Sequence, residues 1–439
     1  MVNSFLVLND FLASGIILIV LFVIFYIGKL VKKISDSEIS RKFVHIFASL
    51  FSLSFPFLIK NSSTLLILSI FFALVISIMK FKKDKDNFLK SVVDIDRATV
   101  GEILFPITIY LLFIFSDKYY FYFISVLVLS FSDALAAIIG KKYGVIKIPV
   151  EQDYKSLEGS ITFFFITFLI IEIPLLLMTN LTPLQCILIS LIISLLITML
   201  ELISVYGTDN ILVPLGVLFL IQRLSKVDLD YLFYLTLSLI VISFITFVIF
   251  GNFKVIGLSG IIGMILVNYT CLTLTNLKYF IILLYFGILF LIVALIRKLN
   301  YRYDITEILQ TTFWCIIISF FIHFNYHLVD KLIGVFLCCI AWQSLFIFNF
   351  LYNKNLNFFQ KMLNLALFLV ITIIPVFIVF NLNSYLIPFI IISIILLIFN
   401  SIIDEIYLKI SLEKYRFIMR NILILIGIIS LFVFNNKFS

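Results

Sequence analysis

Apolar runs long enough to cross a bilayer follow one another almost end to end from residue 11 onward. A helix needs about 20 apolar residues to cross the hydrocarbon core, and within that core every backbone N–H and C=O has to be paired inside its own segment. Few folds satisfy both conditions. The chain is 63% hydrophobic with a mean hydropathy of +1.23, far from the balance of a soluble domain. The spacing of the runs predicts an all-α, polytopic integral membrane protein with roughly 15–16 transmembrane helices. The first run, near 11–28, has no small-residue cleavage site behind it and reads as a retained span. Cys186, Cys271, Cys315, Cys338 and Cys339 sit in apolar runs without metal-type spacing and read as packing residues.

The net charge of +8 would suit a nucleic-acid surface, but its distribution argues against one. With the N-terminus outside and the loops alternating, 25 of the 32 lysines and arginines fall on one side of the membrane and 7 on the other. That asymmetry follows the positive-inside rule. It sets 29–42, 80–97, 141–156 and 204–210 in the cytoplasm, and no nucleic-acid partner is expected. The excess of Phe, Ile and Lys points to an A+T-rich genome, most simply a bacterium's, and so to an inner membrane.

The polar chemistry of the first half is gathered on those cytoplasmic loops. Arg41 and His45 share a helix face one turn apart where the second span begins, with Lys42 between them. Basic residues at span ends are ordinary anchors, whereas His45 lies one turn into the span. Glu102 and Arg97 stand at the mouth of the fourth span, paired with one another or functional. Asp133 lies about two turns before the cytoplasmic end of the fifth span, where a carboxylate needs a cation or donor. Gly140 and Gly144 permit tight turns and close approach to a ligand, and Lys141, Lys142, Lys147 and Lys155 bring positive charge to one loop. Lys155, Ser156 and Gly159 open the sixth span, whose first free amides can bind phosphate oxygens. A carboxylate for magnesium, with lysines and amides for phosphates, is the minimal set for phosphoryl transfer, although no GxxxxGK[ST] loop occurs. Asp209 and Asn210, beside Gly207, form a second metal-binding or hydroxyl-binding pair. The run after them, 211–222, is short for a span and either re-enters or continues differently. Glu172 with Pro174 reads as structural.

Five of these segments, in this order, carry a resemblance: ISRKFVHI (39–46), RATVGEILFP (97–106), SDALAAIIGKKYG (132–144), KSLEGS (155–160) and GTDNILVPL (207–215). Over 38–222 the chain resembles the CTP-dependent polyprenol kinases, which include phytol, farnesol and dolichol kinases. The resemblance implies transfer of the γ-phosphate of CTP to the hydroxyl of a lipid-soluble alcohol, with Mg2+ as cofactor. It implies metal-holding roles for Asp133 and Asp209, and charge neutralisation by Lys141, Lys142 and Lys155. Arg41, Lys42 and His45 would meet the triphosphate, Glu102 would be a base or metal ligand, and Asn210 would hydrogen-bond beside Asp209. Cytidylyltransferases that make CDP-diacylglycerol share the broad theme, but their GHGG-containing terminal signature is missing here.

Residues 1–225 therefore read as a prenol-kinase-like domain and 226–439 as a second multi-span domain without an active site of its own. Gly251, Gly257, Gly260 and Gly263 with Ser259 form a small-residue stripe suited to close helix packing. From RKLNYRYDITEILQ (297–310) onward the chain resembles the phytyl-phosphate kinase membrane family. Glu102-Ile103-Leu104 returns as Glu307-Ile308-Leu309, an internal echo or a coincidence of composition, with Cys338 where Asp133 would stand. His323 and His327 have a metal-ligating spacing but no carboxylate to complete a site, and read as packing or interface residues. Two other functions fit a polytopic chain, a cytidylyltransferase acting on phosphatidate and a transporter. Transporters place their polar groups near the midplane at matched helix breaks, unlike the charged span ends seen here.

Overall fold

The structure is a computed structural model that describes residues 9–34, 37–82, 100–150, 153–204, 206–253, 255–296, 303–352, 387–396, 398–399 and 413–438. It is all-α apart from one short hairpin, and the chain is an integral, multi-pass membrane protein. Seven helices are long and apolar enough to cross a membrane, and six shorter apolar helices accompany them among the described residues. Large apolar side chains such as Phe22, Leu74, Leu169, Leu237 and Phe244 stand exposed on the outer faces. In water such surfaces would associate, whereas in lipid they are ordinary. Some of the expected spans fall within 353–386 and 400–412, outside the described residues.

The chain divides into two compact units, Met1–Leu239 and Ile240–Ser439. The division falls within the residues of a helix, Leu229–Phe250 (α11). The first unit runs through α1 (Asp10–Ile34), α2 (Ser37–Ser52), a short α3 (Phe55–Leu58), α4 (Ser62–Lys82) and α5 (Gly101–Phe115). The next span, Tyr119–Tyr143, is continuous but changes its winding, from α6 (Tyr119–Leu127) through a π turn at Val128–Ser132 into α7 (Asp133–Tyr143). Then follow β1 (Lys147–Val150), β2 (Asp153–Ser156), α8 (Leu157–Met178), α9 (Pro183–Ile203) and α10 (Asp209–Leu224).

Local chemistry explains several boundaries. Ser156 caps α8, its Oγ accepting from Gly159 N at 3.1 Å. Thr182 and Gln185 form a capping box at α9, with Pro183 in the first turn, where a missing N–H costs nothing. The polar loop expected between α7 and α8 folds instead as an antiparallel hairpin, pairing Lys147 with Ser156 and Val150 with Asp153. The run 211–222 is unbroken helix. It belongs to α10, which lies along α5 from Asn210 at Gly101 to Gln222, whose Nε2 donates to Phe115 O at 2.9 Å.

The second unit packs α12 (Leu258–Leu274), α13 (Leu277–Ile296), α14 (Ile305–Phe324) and α15 (Ile333–Tyr352) around a core that includes Cys271, Cys315, Cys338 and Cys339. All five cysteines are buried free thiols, in keeping with packing. Two glycines of the small-residue stripe seat α12 on α14. A Cβ at Gly260 would stand 2.7 Å from Tyr303 O, and one at Gly263 would stand 2.3 Å from Ile305 Cδ1. Glu307 closes a capping box with Asp304 at the start of α14.

Candidate active site

The π turn at Val128–Ser132 sets the position of Asp133. A π turn interrupts the i→i−4 ladder and recurs at functional sites. The Leu129 carbonyl within it accepts a hydrogen bond from His45 Nε2 at 3.1 Å, across from α2. Because the partner is a carbonyl, Nε2 carries the hydrogen. Ser49 Oγ in turn donates to His45 O at 2.7 Å, and Thr167 Oγ1 donates to Ser132 Oγ at 2.9 Å from α8. One residue on, the Asp133 carboxylate receives Lys42 Nζ on Oδ2. Asp133 Oδ1 makes no hydrogen bond among the described residues.

Two further elements close this end of the unit. Glu102, in the first turn of α5, meets Lys80 Nζ at 3.2 Å and Arg41 at 3.7 Å, and its side chain is only 7% exposed. Before α10 the backbone turns through left-handed Tyr206 (φ 57°) and Gly207 (φ 83°). Val100 N donates to Tyr206 O at 2.8 Å, tying that turn to the start of α5. Gly101 lets the two segments approach closely there: an added Cβ would lie 2.7 Å from Asn210 Nδ2 and 3.3 Å from Gly207 O.

These groups form the polar end of a partly open cavity with about 970 Å3 of empty space. Arg41, Lys42, His45, Glu102, Asp133 and Asn210 all line it. Its remaining walls are almost entirely apolar, among them Leu21 and Phe25 of α1, Leu65 and Phe72 of α4, and Ile109 of α5. Ser52 and Phe55 also line it, so it runs beside α2 from Lys42 to Ser52, about 15 Å at 1.5 Å per residue. The arrangement is amphipathic along its length: charge at one end, hydrocarbon along the rest.

The second group of sequence-predicted residues lies beside this cavity without lining it. Gly140, Gly144 and Gly159 surround Ser156, whose Oγ would be 2.6 Å from a Cβ at Gly140 and 2.9 Å from one at Gly159. The bare glycine surfaces expected to admit a ligand are thus filled by the protein's own hairpin. Lys155 donates both to Glu201 Oε1, at 2.6 Å, and to the Glu201 carbonyl at the end of α9. Lys141 and Lys142 stand exposed at the end of α7, with Lys142 Nζ 5.1 Å from the centre of the Tyr143 ring. Asp209 opens α10 and lies near enough to Asp133 and Lys155 to feel both charges.

Lys80 and Glu201 were not singled out from sequence. Lys80 belongs to a lysine-rich run in which no one member stands out, and Glu201 reads as an ordinary span end. Arg97, offered as a partner for Glu102, lies outside the described residues. Among those residues no group of three His, Cys, Asp or Glu side chains is arranged to hold a metal by itself. Magnesium held with substrate phosphates needs fewer, because it keeps several waters and takes one or two carboxylates. No protein-family model, curated protein or solved structure matches the chain.

Proposed function

We propose that the first unit is a membrane lipid-alcohol kinase that transfers the γ-phosphate of CTP to a prenol-type hydroxyl. One observation carries this reading: an apolar cavity beside α2 whose charged lining, among the described residues, lies at one end, where Arg41, Lys42, His45, Glu102, Asp133 and Asn210 converge. An alcohol with a long hydrocarbon body fits that division, its chain among Phe25, Leu65 and Ile109 and its hydroxyl among the charges. Lining that is mostly apolar with a few convergent polar groups is usual for small-molecule sites.

In the reaction the alcohol oxygen bonds to the γ-phosphorus while the bond to the β–γ bridging oxygen breaks, so that CDP leaves. The hydroxyl proton passes to a carboxylate at the polar end, where Asp133 and Glu102 both line the cavity. Arg41 and Lys42 neutralise the oxygens of the transferred group, the contribution that dominates phosphoryl transfer. Asp133 Oδ1 and the side-chain oxygen of Asn210 are the donors suited to Mg2+, with Asp209 behind them. That ion, when bound, would supply charge neutralisation on the phosphates. Substrate entering from the bilayer explains why the site sits among spans. By the distribution of basic residues, its polar end faces the cytoplasm and the N-terminus lies outside, and the Phe, Ile and Lys excess points to a bacterial inner membrane.

The test is a transfer assay with purified protein, γ-labelled CTP or ATP, Mg2+, and a panel of phytol, farnesol, undecaprenol, dolichol and diacylglycerol. Label entering one alcohol from CTP, with CDP released, is the expected result. Pyrophosphate release would favour cytidylyl transfer. No labelled lipid from any donor, with folded protein, would overturn the assignment.

A further inference from the structure

The second unit holds a cavity of its own, with about 640 Å3 of empty space among Phe250 and helices α12 to α15. Gly260 packs against Tyr303, and Gly263 against Ile305 and Ile308, so α12 and α14 run parallel. Carrying that register forward brings Asn268 to the level of Thr311 and Thr312. All three line the cavity.

Most of the hydrogens at this level are already committed. Asn268 Nδ2 donates to Met264 O at 2.8 Å, and Thr311 Oγ1 and Thr312 Oγ1 donate to Ile308 O at 2.8 and 2.7 Å. The unmet group is an acceptor. Among the described residues Asn268 Oδ1 has no hydrogen-bond partner, although the residue is just 6% exposed. A buried carbonyl without a donor is costly, more so where the surroundings are hydrocarbon. A ligand that corrects this brings a hydrogen-bond donor on an apolar body. A neutral hydroxyl does so at a lower desolvation cost than an ammonium.

We propose that this cavity binds an uncharged lipid alcohol, its hydroxyl donating to Asn268 Oδ1 and its hydrocarbon lying along Val267, Leu283 and Phe286. The binding is non-covalent. It rests on the second unit alone and is independent of the reaction proposed at Asp133.

The experiment irradiates the full chain, in lipid nanodiscs, with clickable diazirine analogues of a prenol, a sterol and a 1,2-diacylglycerol, then maps the labelled peptides by mass spectrometry. Label is expected within 258–274 or 305–324, and the probe that delivers it identifies the source of the hydroxyl. Excess unlabelled alcohol should suppress that label about fivefold or more, whereas its O-methyl ether, which cannot donate, should not. Asn268→Leu, with unchanged gel-filtration behaviour, should lose label to a similar extent. Two results would overturn the proposal: probes that label other helices but neither of these, or competition by the ether equal to that by the alcohol. The ether comparison uses the unaltered protein and so does not depend on the variant folding.

Discussion

Replacing Lys42 by Met strands the Asp133 carboxylate in a position where its side chain is only 23% exposed. Removing one member of a buried ion pair costs about 3–5 kcal/mol, and partial exposure of Asp133 brings this to about 2 kcal/mol. Lys42→Met should therefore lower the thermal midpoint in detergent. Adding Asp133→Asn should restore most of that loss without restoring turnover. By itself Asp133→Asn should keep the fold and reduce phosphorylation about 100-fold or more. A double variant no more stable than Lys42→Met would mean that the pair carries no such weight. For His45, the bond to Leu129 O predicts a different ordering. Phe leaves a buried carbonyl unpaired, at about 1–3 kcal/mol, whereas Gln can still donate. Melting curves should rank wild type first, then His45→Gln, then His45→Phe.

Between α7 and α8 the hairpin is held by close packing and by one ion pair. A Cβ at Gly144 would stand 2.2 Å from Gly140 O and 2.6 Å from Ser156 Cβ, and neither atom is the far end of a flexible side chain. Gly144→Ala should push the hairpin off the helices and speed tryptic cleavage at Lys141, Lys142 and Lys147, all already exposed. Lys155→Met, which leaves the Glu201 carboxylate without its lysine, should act in the same direction but more weakly. Equal cleavage in wild type and Gly144→Ala would contradict this account. The sequence marks this segment by its glycines and lysines. It does not say what the bare Cα atoms face, since a phosphate and a neighbouring helix make the same demand on glycine.

The all-α, multi-pass architecture is legible in the sequence because the bilayer leaves an apolar run few alternatives. Span counting is less secure. The 15 residues of α5, the 16 of α10 and the 17 of α12 are all shorter than the usual crossing length. The motifs bearing Arg41, Lys42, His45, Glu102, Asp133 and Asn210 could be picked out singly, and the fold gathers those six at one cavity end. Their pairings could not be read, because Lys42 and Asp133 lie 91 residues apart and Lys155 and Glu201 lie 46 apart. Burial of every cysteine opens a direct test of orientation. Single cysteines placed at the exposed positions Lys60, Lys226 and Lys142 should react with maleimide over a quiet background. In intact cells an impermeant maleimide should modify positions 60 and 226, and reach 142 only after lysis. The opposite pattern would invert the proposed topology.

The turn at Val128–Ser132 leaves α7 about one residue, or 100°, out of phase with α6. Asp133 meets Lys42 because of that extra residue and not by its place on a uniform spiral. Removing any one residue from 128–132 would keep every charged group of the site in the chain, yet turn the carboxylate toward a different neighbour. Exchanging one apolar side chain there for another would disturb far less. A lipid-facing helix can absorb a lost residue by drawing its end into the headgroups. This one has to keep count, so small deletions here should be far more damaging than substitutions at the same positions.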